Sequence, residues 1–112
     1  MHICFLNGHY PNKDGTGGGG AGWYIKMLSQ NHVKNGNQVT ILKISPNRFI
    51  ENYIENSGVR VLHYTTSFPF LYYFSKIPFL QYLTRTLGYI KHSWTAYKKI
   101  LKIDSTNPID II

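Results

Sequence analysis

Short apolar runs alternating with helical patterns predict an α/β fold, a parallel sheet whose strands are joined by crossover helices. Three observations carry this expectation. Apolar runs recur at residues 2–6, 38–44, 59–63 and 109–112. The segments between them show helical spacing. The runs are rich in β-branched residues and lack a polar face, as strands covered on both sides require. The resulting order, βαβαβαβ, makes each connection a right-handed crossover.

Bulk properties bound the rest. A chain of 112 residues fits one domain with a modest core. With 43% hydrophobic and 15% charged residues it is globular rather than disordered. A net charge of +7 and a pI near 9.6 point to anionic partners: phosphorylated ligands, nucleic acid or an acidic membrane surface. The single cysteine, Cys4, rules out an intrachain disulfide framework. It is expected as a buried, inert thiol, which fits a reducing cytoplasm. No signal peptide or membrane-length apolar segment is visible.

Ile3, Cys4, Phe5 and Leu6 give the first strand its apolar character. The first helix is predicted to begin at Ala21 or Gly22 and run to Asn35, with Tyr24, Met27, Leu28 and Asn31 extending one face. Gly36 ends it in the left-handed conformation. Val39, Ile41, Leu42 and Ile44 mark the second strand. Pro46 and Asn47 are then expected to start a short amphipathic helix. Its apolar face is Phe49, Ile50, Tyr53 and Ile54, and Gly58 closes it. Val59, Val61 and Leu62 form the third strand, followed by an aromatic connector over residues 64–78. In the last helix Leu80, Leu83, Leu87, Ile90, Trp94, Tyr97 and Leu101 repeat at steps of three and four, a stripe expected to pack on the core. Lys91, Lys98, Lys99 and Lys102 load its C-terminal half, where positive charge suits the helix dipole. After Pro108, residues 109–112 read as a fourth strand. A buried parallel strand needs a further covering helix. Residues 1–112 are therefore expected to be the truncated N-terminal piece of something longer.

The run from Gly15 to Gly22, with glycine at all but two positions, joins the first strand to the first helix. Strand, glycine loop and helix together bring backbone N–H groups and a helix N-terminus against an anion. A triphosphate-binding P-loop is excluded, because Trp23 and Tyr24 stand where lysine and a hydroxyl residue are required. The dinucleotide fingerprint matches by letters at Gly15, Gly17 and Gly20, and again at Gly17, Gly19 and Gly22. About eight residues separate it from the strand, however, and no acidic residue ends the second strand. An NADP site with Lys43, Ser45 and Arg48 around the 2′-phosphate, as in an oxidoreductase fragment, stays open as an alternative.

A fuller pattern extends beyond the glycines. A hydrophobic strand, Asn7, Tyr10-Pro11, a Gly-Gly loop and a helix lead into Lys34-Asn35-Gly36-Asn37-Gln38-Val39-Thr40-Ile41-Leu42. This order resembles the N-terminal domain of retaining glycosyltransferases of family 4. In that family a strand, Tyr-Pro-Pro, Gly-Gly and an amphipathic helix precede Gly-His-Glu-Val-Thr-Val-Leu. The likeness is concentrated in residues 1–44. It returns at the end, where Asn107-Pro108-Ile109-Asp110-Ile111-Ile112 is similar to the family's Pro-Asp-Val-Ile strand. Asn12 replaces the second proline, Asn37 replaces the histidine, and the loop from Pro11 to Gly17 is longer than usual. Gly17, Gly18, Gly19 and Gly20 are therefore carried over as a group.

The resemblance implies a Rossmann-like domain, the incomplete N-terminal half of a GT-B fold, with a C-terminal donor-binding domain absent from this stretch. It implies transfer of a sugar from a nucleotide-sugar donor to a glycan or lipid-linked acceptor, with no further cofactor and no essential metal. Gly17, Gly18, Gly19 and Gly20 would face the donor diphosphate, while His9, Tyr10, Lys13 and His63 are candidates to line the cleft. The family's active-site histidine follows the strand that here ends at Ile112, so catalytic residues are expected beyond this chain. The chain alone is then expected to transfer no sugar. A cytoplasmic location follows, with peripheral contact on the inner face of the membrane as a second hypothesis. Phe68, Phe70, Tyr72, Tyr73, Phe74 and Phe79 with Lys76, Arg85 and Lys91 would meet anionic headgroups. Nucleic-acid binding is not expected, because the basic residues are scattered and no binding module is present.

Overall fold

The computed structural model describes residues 1–45, 51–65 and 77–112. Strand β1 (His2–Leu6) leads through the glycine loop into helix α1 (Gly19–Lys34) and strand β2 (Gln38–Ile44). A two-residue strand β3 (Tyr53–Ile54), strand β4 (Arg60–Tyr64) and helix α2 (Pro78–Thr106) follow. The class is α/β, as the alternation of runs predicts. The start of the expected short helix at residues 46–50 and the aromatic connector at 66–76 lie outside the described residues.

The sheet order is β1-β2-β4-β3. β1 and β2 pair in parallel with Ile3 opposite Val39, and β2 and β4 pair in parallel with Ile41 opposite Val61. β3 runs antiparallel to β4, with Tyr53 opposite Val61, so the sheet is mixed rather than wholly parallel. This corrects the helix expected through Tyr53 and Ile54. Asn56, Ser57 and Gly58 are turn residues, and they close a hairpin in which the Gly58 N–H donates to the Glu55 carbonyl at 2.8 Å and the Glu55 N–H to Val59 at 2.9 Å. The fourth expected strand shrinks to a single parallel bridge between Ile3 and Ile111, held by the Cys4 N–H on the Ile111 carbonyl at 2.9 Å.

Each face of the sheet carries its own core, because alternate residues of a strand point to opposite sides. On the α1 side Val39, Ile41, Val59 and Val61 pack with Tyr10, and Phe5, Ile25 and Val33 lie against them. On the α2 side Cys4, Leu42 and Tyr64 pack with Ala96 and Ile103. Cys4 is a free, buried thiol, and burial pushes its pKa up to about 11, so it is inert as expected.

Both helices differ from expectation in which side they bury. α1 starts at Gly19, earlier than Ala21, and its inner side is Gly22, Ile25, Ser29 and Val33, while Tyr24 and Met27 are exposed. It ends as expected at Gly36, whose N–H donates to the Val33 carbonyl at 2.9 Å. In α2 the large apolar stripe faces outward. Leu83, Leu87, Ile90, Trp94, Tyr97 and Leu101 are all exposed, and the helix instead buries Thr84, Ala96 and Ile103. The expectation that this stripe packs on the core is thereby overturned. The physical reason is a second stripe: His92, Ala96, Ile100 and Ile103, at steps of four, four and three, meet the sheet from the other side of the helix, with the His92 ring edge-on against Tyr64 and centroids 5.5 Å apart. Among the described residues no helix is long and apolar enough to cross a membrane.

Candidate functional site

The site is built at the carboxyl edge of the parallel strands, where open α/β sheets bind ligands. As β1 ends, the Asn7 N–H donates to the Leu42 carbonyl at 3.1 Å, which keeps the departing chain on the sheet edge. The Asn7 side chain then accepts the His9 N–H at 2.7 Å, a local turn typical of asparagine. Pro11 is buried, and residues 12–16 close on themselves. The Asn12 N–H donates to the Thr16 carbonyl at 2.9 Å, and both the N–H and the hydroxyl of Thr16 donate to one carboxylate oxygen of Asp14 at 3.0 and 2.7 Å. Those bonds hold the Asp14 carboxyl below its ordinary pKa.

Gly17, Gly18 and Gly19 follow with φ of 73°, 94° and 52°. A side chain is strained at all three. Two positions add a spatial demand. A Cβ on Gly18 would lie 2.7 Å from the Pro11 ring, and one on Gly22 would lie 1.8 Å from the His9 carbonyl oxygen. The first turn of α1 therefore rests on the backbone of His9 and Tyr10. Gly20 has neither constraint, with ordinary φ and open space around its missing Cβ. No side chain caps the helix, and the Gly22 N–H is the first in the turn bonded to a backbone carbonyl, that of Gly18 at 2.9 Å. Among the described residues the N–H groups of Gly17, Gly18, Gly19 and Gly20 have no acceptor. Unpaired donors at a helix N-terminus carry partial positive charge.

Beneath the loop sits a lysine that sequence reading placed elsewhere. Lys43 has the same parity as Val39 and Ile41 in β2, so it points to the α1 side; it is 8% exposed, and its Nζ donates to Asn12 Oδ1 at 2.6 Å. Burial lowers its pKa, and the Asp14 charge partly offsets this. An NADP site needs Lys43 turned toward a 2′-phosphate, whereas here it supports the loop; Arg48 lies outside the described residues.

Next to the loop a cleft of about 390 Å³ is lined by Asn12, Lys13, Asp14, Ser45, Glu51, Tyr53 and His63. Of the candidates, it brings Lys13 and His63 together. His63 lies opposite Lys43 in the β2–β4 register, and its N–H donates to Asn52 Oδ1 at 2.9 Å. Its ring lies 5.9 Å from that of Tyr53, and its Nδ1 is buried without a hydrogen-bond partner among the described residues. Burial, then the Lys43 charge, pull the His63 pKa below its ordinary value, so the imidazole is neutral at pH 7. Burial and the Glu55 charge raise the Tyr53 hydroxyl to about 12, so it remains a protonated donor. Lys13 pairs with Glu51 at 3.0 Å, an exposed contact.

The other two candidates lie elsewhere. Tyr10 is 1% exposed and belongs to the core, where its hydroxyl donates to Glu55 Oε1 at 3.1 Å and its pKa is strongly raised. His9 is exposed, and it contributes its backbone to the seat of α1. Sequence reading missed Glu55, which also accepts from Lys26 at 3.3 Å and from Gln30 at 3.4 Å, buckling the β3–β4 hairpin to α1. It also missed the positions of Glu51 and Tyr53 in the cleft. Their only signal was the turn chemistry at residues 56–58, which turns the segment back along β4. Among the described residues no cluster of His, Cys, Asp or Glu has the arrangement of a metal site.

No family model matches the chain, and searches of curated proteins and of solved structures return no match either.

Proposed function

We propose that the chain is the acceptor-side half of a GT-B-type glycosyltransferase resembling family 4, with the glycine loop as its anion cradle. The observation that carries this reading is the set of unpaired N–H groups from Gly17 to Gly20 at the start of α1, on the carboxyl edge of the sheet. The strand order supports it: Ile111 beside β1, then β2 and β4, is the order of a Rossmann-type half, with β3 added at the edge.

In a retaining transfer the bond from the anomeric carbon to the diphosphate breaks, the acceptor oxygen bonds the same face, and the acceptor's proton leaves with the diphosphate. Charge then grows on the departing nucleoside diphosphate. Preset N–H donors stabilise that charge without reorganising. Gly20, which no contact within the fold requires to be glycine, keeps the approach open to phosphate oxygens. The cleft beside the loop suits a polyhydroxyl acceptor, because Ser45, Tyr53, Lys13 and neutral His63 offer both donors and acceptors. Groups acting on the reacting carbon are expected outside residues 1–112. In this reading the protein works in the cytoplasm, where its free Cys4 stays reduced.

Amide NMR titration of the chain with UDP or GDP tests the cradle. The expected result is a saturable shift of the Gly17–Gly20 amides that Gly20→Val abolishes; shifts confined to other residues, or none, would overturn the reading. Incubation with common nucleotide sugars and polysaccharide acceptors is expected to give no turnover by this chain alone.

A further inference from the structure

Lys13 and Tyr53 each wall two cavities. One is the cleft beside the glycine loop; the other, of about 370 Å³, lies between α1 and the β3–β4 hairpin and is lined further by Lys26, Gln30, Glu55 and Ser57. Sharing two walls, the cavities adjoin, with the Tyr53 ring at their junction.

What the second cavity offers a ligand follows from which of its groups are already engaged. Glu55 is the one carboxylate in its lining, and both oxygens are taken. Oε1 accepts from Tyr10 at 3.1 Å and from Lys26 at 3.3 Å, and Oε2 from Ser57 at 3.1 Å and Gln30 at 3.4 Å. Four donors fill the acceptor sites of a carboxylate, so the groups left for a ligand are donors. The largely buried Lys26 ammonium directs one of its three N–H bonds at Glu55, and the Trp23 ring, 5.2 Å away, steadies it. Lys13 is tied to Glu51 in an exposed pair, which holds weakly and yields to a better acceptor. Two ammonium groups beside a filled carboxylate favour an anion. The cleft has the opposite balance: Asp14 and Glu51 stand against Lys13, and His63 is uncharged. An acid group is therefore repelled from the cleft and drawn into the cavity, while neutral hydroxyls suit the cleft. Lys13 and Lys26 less Glu55 leave one positive charge. A single carboxylate balances it, whereas a phosphate monoester, at nearly −2, exceeds it.

We propose that the acceptor is an acidic glycan, with a uronic acid seated in the cavity between α1 and the hairpin. Its carboxylate lies between Lys13 and Lys26, and the neighbouring neutral sugar lies in the cleft. The Tyr53 ring, apolar with a polar tip, meets the two sugars where they join. The acceptor role rests on the glycosyltransferase reading above; the preference for an acid rests on the charges of the two cavities.

The test is amide NMR of the full chain titrated with a disaccharide of glucuronic acid and glucose, with its neutral diglucose counterpart, and with inorganic phosphate. The acidic disaccharide is expected to give saturable shifts at Lys26, Gln30 and Ser57 together with Ser45 and His63. It binds about tenfold more tightly than the neutral one. Lys26→Gln, which keeps a donor for Glu55, and Lys13→Gln, which alters an exposed residue, each narrow that ratio to about threefold or less. Equal affinity for the two disaccharides, tighter binding of inorganic phosphate, shifts confined to the cleft, or an unaltered ratio in both variants would each overturn the proposal. The ratio is read first on the unaltered chain, so the outcome does not depend on the variants folding. No nucleotide is present in these titrations. Indifference of the glycine loop to UDP and GDP would overturn the glycosyltransferase reading and leave the uronic acid site standing, and equal disaccharide affinities would do the reverse.

Discussion

The two helices cover the two faces of one sheet by opposite means. α1 presses its backbone onto the chain: Gly22 sits on the His9 carbonyl, and Lys26 and Gln30 grip Glu55 of the hairpin. α2 touches its face through Ala96, Ile103 and the His92 ring, and turns its bulky residues to solvent. The difference teaches that the amount of apolar surface on a helix does not say which side meets the core. On α1 closeness of approach decides that, and Gly22 permits it; on α2 the second stripe of His92, Ala96, Ile100 and Ile103 decides it.

Glycine replacements give the sharpest break in this comparison. Gly22→Ala places a Cβ against a backbone oxygen that cannot retreat without shifting β1's exit loop. Unfolding by urea is expected to show a loss of about 3 kcal/mol or more. Gly88→Ala in the middle of α2 meets nothing within 4 Å. There the gain in helix propensity is expected to stabilise the protein by about 0.5–1 kcal/mol. Opposite signs support the contrast between the faces; equal losses would contradict it.

The next effect concerns the polar buckle on the α1 face. Glu55→Ala removes the acceptor of the buried Tyr10 hydroxyl and the partner of Lys26, whose side chain is 20% exposed. A loss of about 2 kcal/mol is expected, because a buried hydroxyl left without a partner keeps its desolvation cost. Glu51→Ala, which breaks the exposed pair with Lys13, is expected to leave the urea midpoint unchanged.

How far the fold was legible follows the same division. The first 44 residues read well because their signals are local: an apolar run, a glycine loop, a helix ended by Gly36, and alternation in β2. Tyr53 and Ile54 misled because two adjacent apolar residues fit a helix and a short strand equally, and only the turn residues after them decide. Lys43 was visible as a charge inside an apolar strand, but its link to Asn12 depends on how the loop folds back. The cleft joins Lys13 of the loop after β1 to His63 of β4, which no local pattern encodes. The α2 stripe was plain, but its direction depends on what the rest of the chain leaves uncovered.

A smaller effect is read by pH at the cleft. His63 has its pKa depressed in the folded state, from the ordinary 6.5, by burial and then by Lys43. On acidification the unfolded chain therefore binds the proton first, so this contribution is complete at neutral pH and is lost as pH falls below about 6.5. His63→Gln is expected to flatten the fall in urea midpoint between about pH 7 and about pH 5. An unchanged slope would mean that the imidazole is solvated and does not face Lys43.

The smallest expected effect is the most telling for the outer face. Leu87→Gln and Tyr97→Gln alter residues 44% and 51% exposed on the side of α2 away from the sheet. Glutamine and leucine have nearly equal helix propensity, and surface changes of this kind move stability by less than about 0.5 kcal/mol. A stripe that packed on a core would instead lose about 2 kcal/mol or more for each such change. Near-zero values from urea unfolding therefore fix the stripe from Leu83 to Leu101 as surface, and losses of the larger size would return it to a core.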